Sequence, residues 1–163
     1  MKTVSAAEGW KLKYPEQISM VVSQHEGRRS IIVLGWVMPT SFEPRMAAIS
    51  IGHTRFSHEL VDASSEFVLA FPTEDMVEQM LYCGTHSGRD RDKFEATGLT
   101  PMPADVVAPP LIGECLVNFE CRVTGKLRTG DHTIFAGEIV ATHVADERKR
   151  RLYNLGGEQF GGL

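Results

Sequence analysis

The chain carries no C-x-x-C pair, no G-x-S-x-G elbow and no G-x-G-x-x-G behind a strand-like run. The first absence removes the commonest paired-cysteine zinc and redox motifs, the second the nucleophile turn of a serine hydrolase, the third a Rossmann NAD site. Cysteine is scarce, with Cys83, Cys115 and Cys121 leaving an odd number. If Cys115 and Cys121 share a strand they lie about 20 Å apart, beyond disulfide reach, so buried, reduced thiols are expected. Cys83 and His86 have C-x-x-H spacing, but no second pair with ligand spacing follows, and no metal is expected. Positive charge is not in excess: the formal net charge is −4, which does not suggest a nucleic-acid partner. No apolar run nears the roughly 20 residues of a membrane span, and the opening MKTVSAAEGWKLKYPEQ has no apolar signal core. The protein is therefore read as cytoplasmic, with no membrane association.

What remains is an ordinary globular composition and a length of 163 residues, read as one domain over 1–163. An arm (1–17) holds Trp10, Leu12 and Tyr14 in alternation, and a tail (146–163) opens on a charge run and ends in glycines. The organising stretch is Arg28 to Thr54. Its apolar runs, Ile31–Val37 and Met46–Ile51, read as a pair of buried strands around a proline-bearing turn. Thr40, Ser41, Ser50 and Thr54 stand at their ends, where backbone amides and small hydroxyls can hold a planar ligand or a phosphate.

Ile18–Ser23 and Phe67–Phe71 read as further strands. A short helix follows Ser57 as its cap, another opens at Thr73 and stops near Gly84, and a third runs from Asp92 to Gly98. Leu99–Pro110 holds four prolines and reads as an irregular connection. From Cys115 the pattern alternates strictly: Val117, Phe119, Cys121 and Val123 on one face, Asn118, Glu120 and Arg122 on the other, as in a half-buried antiparallel strand. The turn Arg128-Thr129-Gly130-Asp131 joins it to Thr133–Val144. Hairpins without regular strand–helix alternation give a mainly β fold, a closed antiparallel β-barrel with a few short helices over its ends. The tail glycines argue for a loop or extended arm.

Two segments offer chemistry. SGRDRDKF, Ser87 to Phe94, has the cations, hydroxyl and glycine that a phosphate wants, although Asp90 and Asp92 would also suit a solvated charged loop. His132 sits just past a turn at the barrel mouth, where it could reach a bound ring or simply end the hairpin. His53, His58, His86 and His143 are open to the same plain structural reading.

Taken in order, IIVLGWVMPTSFEPRMAAISI, HTRFSHELVDASSEFVLAFP, SGRDRDKF, PPLIGECLVNFEC and GDHTIFAGEIV resemble the flavin reductase-like family of FMN-binding split barrels, the group that includes flavoredoxin. The resemblance implies a split barrel that binds FMN without covalent attachment, commonly at a homodimer interface. It implies cofactor contacts from Trp36, Val37, Met38, Thr40, Ser50, Ile51, Gly52, His53 and Thr54, and phosphate contacts from Ser87, Gly88, Arg89, Asp90 and Lys93. It places His132 near the flavin ring as the catalytic candidate. The activity implied is hydride transfer from NAD(P)H to flavin, a ferric complex or a partner. The alternatives are a flavin-binding electron carrier and a non-catalytic interaction module. Val37-Met38-Pro39 and Glu43-Pro44-Arg45 depart from the family pattern at the first turn.

Overall fold

Ser5 and Glu8 bond each other's backbone N–H groups in a reciprocal capping box, which supports one helical turn, α1 (Ala6–Trp10), in an otherwise extended arm. The computed structural model describes residues 1–163. After β1 (Glu16–Gln17) come β2 (Ser19–His25) and β3 (Arg28–Leu34). Glu26 and Gly27 join them, both at positive φ (48° and 75°), as a tight hairpin with the right-handed strand twist requires.

The run Ile31–Val37 is two strands, not one. Gly35 and Trp36 interrupt it, and β4 (Val37–Ser41) then pairs with β5 (Met46–Gly52) while β3 pairs with β2. Glycine lets the Glu16 carboxyl close on the bend: a Cβ on Gly35 would come within 2.6 Å of it, and the Glu16 side chain would have to move. The expected pairing of Ile31–Val37 with Met46–Ile51 thus holds only from Val37 onward.

Next are α2 (Phe56–Ser64), β6 (Glu66–Phe71), a 3-10 turn at Glu74–Met76 leading into α3 (Val77–Thr85), and α4 (Lys93–Thr97). α4 has the start and stop that its sequence predicts. The Asp92 carboxylate accepts from Phe94 N at 2.8 Å, and Gly98 ends the helix at φ 70°. Ser57, expected as the cap of α2, lies inside that helix; Arg55 stands at the cap with no side-chain bond. The proline-rich connection contains the short ladder of β7 (Pro101–Met102) and β8 (Leu111–Ile112). The long hairpin of β9 (Val117–Thr129) and β10 (His132–Val144) turns at the predicted residues. The tail is not a loop. Gly156 and Gly157, at φ 96° and 57°, turn the chain so that β11 (Leu152–Gly156) and β12 (Gln159–Gly162) pair, and β11 also takes β1. Arm and tail therefore share one small sheet.

The main sheet has the order β3-β2-β6-β9-β10-β5-β4, antiparallel at each ladder. It is covered on both faces. Val21, Ile49, Ile51, Phe67, Leu69 and Phe135 fill the concave side; Met20, Val22, Ile31, Val68 and Ala70 meet α3, α4 and the proline-rich connection on the other. This explains why β2 reads as a continuous apolar run rather than an alternating one. The expected closed barrel is corrected to an open one, because no ladder joins the edge strands β3 and β4. α2 packs on β2, β3 and β5 and adds Val61 to the concave core, so a helix closes the gap that a ladder would have closed. No helix is long and apolar enough to cross a membrane.

β9 departs from its half-buried reading. Asn118 and Glu120, on the face expected to meet solvent, are buried under the proline-rich connection. Asn118 exchanges two bonds with the Ile112 backbone (2.9 and 3.1 Å). Glu120 accepts from Asp105 N, Val106 N and Val107 N at 2.7–2.9 Å and faces His143 Nε2 at 2.6 Å. Two buried polar side chains thus supply the partners that an irregular backbone cannot find in a ladder.

Candidate functional site

The bend at Gly35–Trp36 leaves a cleft of about 460 Å³ between the end of β3, the start of α2 and the segment after α3. That volume lies in the range of small-molecule sites. Arg55, Lys93, His86 and His132 line it, and no lining residue is acidic. Cations facing a cleft without a carboxylate favour an anionic ligand.

One end is cationic and rich in hydrogen-bond donors. The first amides of α2 open toward it, with Arg55 at the cap and buried Ser57 in the first turn. A cation at a helix N-terminus is locally unfavourable, and Arg55 has neither a cap bond nor an ion pair to offset it. Lys93 is only 4% exposed. Its Nζ donates to Ile31 O on edge strand β3 (2.6 Å) and to Cys83 O in the last turn of α3 (2.7 Å), which leaves one of three ammonium donors for the cleft. Burial pushes its pKa below the usual lysine range; the Cys83 thiol works against this shift and Arg55 with it. Gly88 completes this end. A Cβ there would meet the Ser30 side chain (Cβ at 2.8 Å) and Phe56 (3.4 Å), so glycine lets the Ser87–Gly88 backbone close on both.

The other end is aromatic. The Trp36 and His132 rings lie 4.8 Å apart, and Trp10 from α1 meets Trp36 edge-on at 6.0 Å. β10 sets His132 opposite Gly52 in register, with His132 Nε2 3.5 Å from where a Gly52 Cβ would stand. His132 Nδ1 bonds Asp131 Oδ1 at 2.7 Å, and that bond holds the Asp131 carboxyl below its usual range. A carboxylate can only accept, so Nδ1 carries the proton of this bond and Nε2 is the ring nitrogen beside Gly52.

Of the residues singled out from sequence, the cleft brings together Trp36, Ser50, Gly52, Thr54, Ser87, Gly88, Lys93 and His132. It does not include the others. Val37 and Met38 line a second, apolar cleft of about 440 Å³ with Phe71, Phe119 and Ile139, because the bend at Gly35–Trp36 carries β4 away from the end of β3 and onto β5. Thr40 is exposed on β4, and Ile51 is fully buried in the concave core. His53 and His58 both turn Nε2 to Thr133 Oγ1 (3.1 and 2.9 Å), and burial holds the His58 imidazole below the usual histidine range. Arg89 is paired with Glu59 and lies over the Phe56 ring at the rim; Asp90 is exposed.

Sequence reasoning missed Arg55, Ser30, Ser57, Thr85 and His86. Only Arg55 had a signal: a lone cation beside a helix start contradicts the dipole rule, and local contradictions collect at functional sites. The three thiols are free and buried, and burial pushes Cys83 up to about 11 and Cys121 up to about 12. Asp105, Glu120 and His143 bring ligand atoms within 4.8 Å of one another, but both Glu120 oxygens already accept backbone amides.

Comparison with known proteins gives consistent results. Residues 12–162 match the model of the flavin reductase like domain. An uncharacterized protein of Archaeoglobus fulgidus is 40% identical over 131 residues, covering 80% of this chain and 73% of that protein. Flavoredoxin from Methanosarcina acetivorans superposes with a TM-score of 0.88 at 22% identity over 100% of this chain and 91% of its own. The FMN-binding protein from Thermus thermophilus, solved with bound 1-cyclohex-2-enone, gives 0.87 at 22% identity over 99% of this chain and 94% of its own.

Proposed function

The chain belongs to the flavin reductase-like family, and from that premise we propose that it is an FMN-binding oxidoreductase that takes a hydride from NAD(P)H and passes electrons to free flavin, a ferric complex or a protein partner. The observation that carries this reading is one cleft with a cationic, amide-rich end and an aromatic end, and no acid among its lining residues. FMN has that polarity, a phosphate at one end and a planar ring at the other. Bound FMN supplies the two-electron chemistry.

The chain's own residues bind and orient. Arg55, Lys93 and the α2 amides would hold the phosphate, and Ser57, Ser87 and Gly88 line the same end of the cleft as further donors. Gly52 keeps one wall bare so that a ring can lie against backbone. Trp36 shields one edge from water. His132 Nε2 accepts or, once the ring is protonated, donates a hydrogen bond at the reacting end, a positioning role rather than an obligatory proton transfer. Stopped-flow bleaching of the FMN-loaded protein by NADH and NADPH tests both statements. Bleaching by either donor is expected, and His132→Ala should slow it about tenfold without changing FMN affinity, less than the ~100-fold of a lost general acid or base. No flavin uptake, or no bleaching by either donor, rejects the oxidoreductase reading; equal rates remove His132 from it.

A homodimer is part of the same proposal. Trp10, Trp36, Met38 and Phe42 are exposed large apolar residues of the arm, the Gly35–Trp36 bend, β4 and its turn, and Trp10 meets Trp36 at 6.0 Å; exposed apolar surface of this kind marks interaction sites. Sedimentation equilibrium at micromolar concentration should give twice 18.1 kDa; a monomer would exclude pairing through this strip.

A further inference from the structure

We propose that the apolar cleft beside Val37 and Met38 is a second binding site, which takes an apolar monocarboxylate with its body against the concave core and its charge at a cationic rim. This site is separate from the cationic cleft: the two share no lining residue.

The cleft is an open end of the concave core. Val37, Phe71, Phe119 and Ile139 pack against that core, yet each is only partly buried, and all four line the cleft of about 440 Å³. Two irregularities open it. The β4–β5 ladder shifts register between Pro39 and Ser41, and the β9–β10 ladder between Ile139 and Ala141 of β10. A bulge bends its strand and increases the local twist, so the strands part at this end, and α2, which closes the other gap, contributes no residue here. Phe71 and Phe119 meet edge-on with ring centroids 5.9 Å apart, an aromatic wall for the cleft. The mouth of a barrel lined in this way is a recurrent place for a small apolar ligand.

The rim selects the charge. Gln17, Ser41, Arg45 and Thr142 also line the cleft, and none of its lining residues is acidic. Arg45 lies in the turn between β4 and β5, its guanidinium 5.1 Å from the centroid of the exposed Phe42 ring. Arg151 stands behind the Gln17 end. Its Nη2 donates to Gln17 Oε1 at 3.1 Å, and its guanidinium lies 3.9 Å over the Phe71 ring. Gln17 Nε2 in turn donates to Val37 O, which fixes that amide against the cleft wall. Neither arginine takes part in an ion pair, and Arg151 Nε is buried with no partner. Two cations without an acid favour an anion. The apolar interior limits that anion to one charged group on a hydrocarbon or aromatic body, because further charge would be buried unpaired against Phe71, Phe119 and Ile139.

The experiment is isothermal titration of the full chain with decanoate and with decanol, for wild type, Arg45→Gln and Thr142→Trp, with a thermal melt of each protein. Wild type should bind decanoate in the micromolar range and about tenfold more tightly than decanol, the worth of a charged donor to a carboxylate. Arg45→Gln should remove that advantage and leave decanol unchanged. Thr142→Trp places an indole at the exposed rim and should weaken both ligands about tenfold or more while the melt stays as in wild type. If Thr142→Trp does not fold, Arg45→Gln, a substitution at an exposed residue of a turn, still decides. Failure of both ligands to bind wild type overturns the site and leaves the cleft as a seam for a second copy of this chain. Decanol bound as tightly as decanoate, or an equal effect of Arg45→Gln on both, overturns the carboxylate. Wild-type affinity in a folded Thr142→Trp puts decanoate elsewhere and overturns this cleft as its site.

Discussion

Replacing Glu120 with alanine is expected to cost about 3–5 kcal/mol of folding stability, the usual loss when one member of a buried charged network is removed. The carboxylate is 0% exposed and is the shared acceptor for Asp105 N, Val106 N, Val107 N and His143 Nε2. Removing it leaves three backbone donors buried without partners and frees the proline-rich connection from β9 and β10. Each unsatisfied buried donor typically costs ~1–3 kcal/mol, partly recovered by entering water. The same site predicts a pH dependence. Burial raises the Glu120 pKa, but the Asp105 amide, His143 and the other two amides outweigh it, and the net shift is downward. A carboxyl depressed in the folded state stabilises fully above its unfolded value, and that contribution is lost as pH falls through the folded value. Urea denaturation at neutral pH and at acid pH checks both statements. Wild type should lose stability as pH drops below the ordinary carboxylate range, and Glu120→Ala should lose less, having less to lose. A neutral-pH loss under ~1 kcal/mol, the scale of a single net hydrogen bond, would show that the network does not hold the connection.

Arg55→Ala is expected to weaken FMN binding about ten- to a hundredfold, the loss of a charged donor to a phosphate. Riboflavin, which lacks the phosphate, should bind wild type and variant alike. Arg89→Ala should have a much smaller effect on FMN, because Glu59 already holds that guanidinium at the rim. Isothermal titration of the four protein–ligand pairs for Arg55, together with FMN on Arg89→Ala, decides the assignment. If Arg89→Ala is the more damaging substitution, the phosphate sits farther out than the cleft's shape implies. If Arg55→Ala weakens riboflavin as much as FMN, the residue supports the site rather than the phosphate. The substitution should not lower stability, since an exposed cation leaves the positive end of α2.

Much of the fold was legible because it depends on local chemistry. Asp92 and Gly98 bound α4 through side-chain and backbone preferences that act within a few residues. Glu26-Gly27 and the residues around Gly130 turn the chain for the same reason. The site was legible in part. Ser87, Gly88, Lys93 and His132 stood out as a cluster of donors and a histidine at a turn, and the cleft contains all four. Val37 and Met38 were misplaced because the break at Gly35–Trp36 sends β4 to another part of the sheet and so to another cleft. Lys93 was legible as a cation but not as a tie: nothing near it in sequence shows that Ile31 O and Cys83 O need a donor.

The sequence by itself determined the mainly β class, the two hairpin turns, the ends of α4 and the cluster of donors from Ser87 to Lys93. These follow from φ preferences, capping and hydrophobic period, which operate over a handful of residues. Tertiary structure alone decided three things. α2, not a ladder, fills the gap between the sheet edges, since the burial of Val61 in the concave core depends on surfaces brought together from across the chain. The polar face of β9 is buried, since its partners lie in a connection that comes 13 to 15 residues earlier in the chain. Arg55, rather than Arg89, faces the cleft, since the Glu59–Arg89 pair spans 30 residues. In each case the deciding contact joins residues far apart in sequence, and its free energy exists only once the chain is folded.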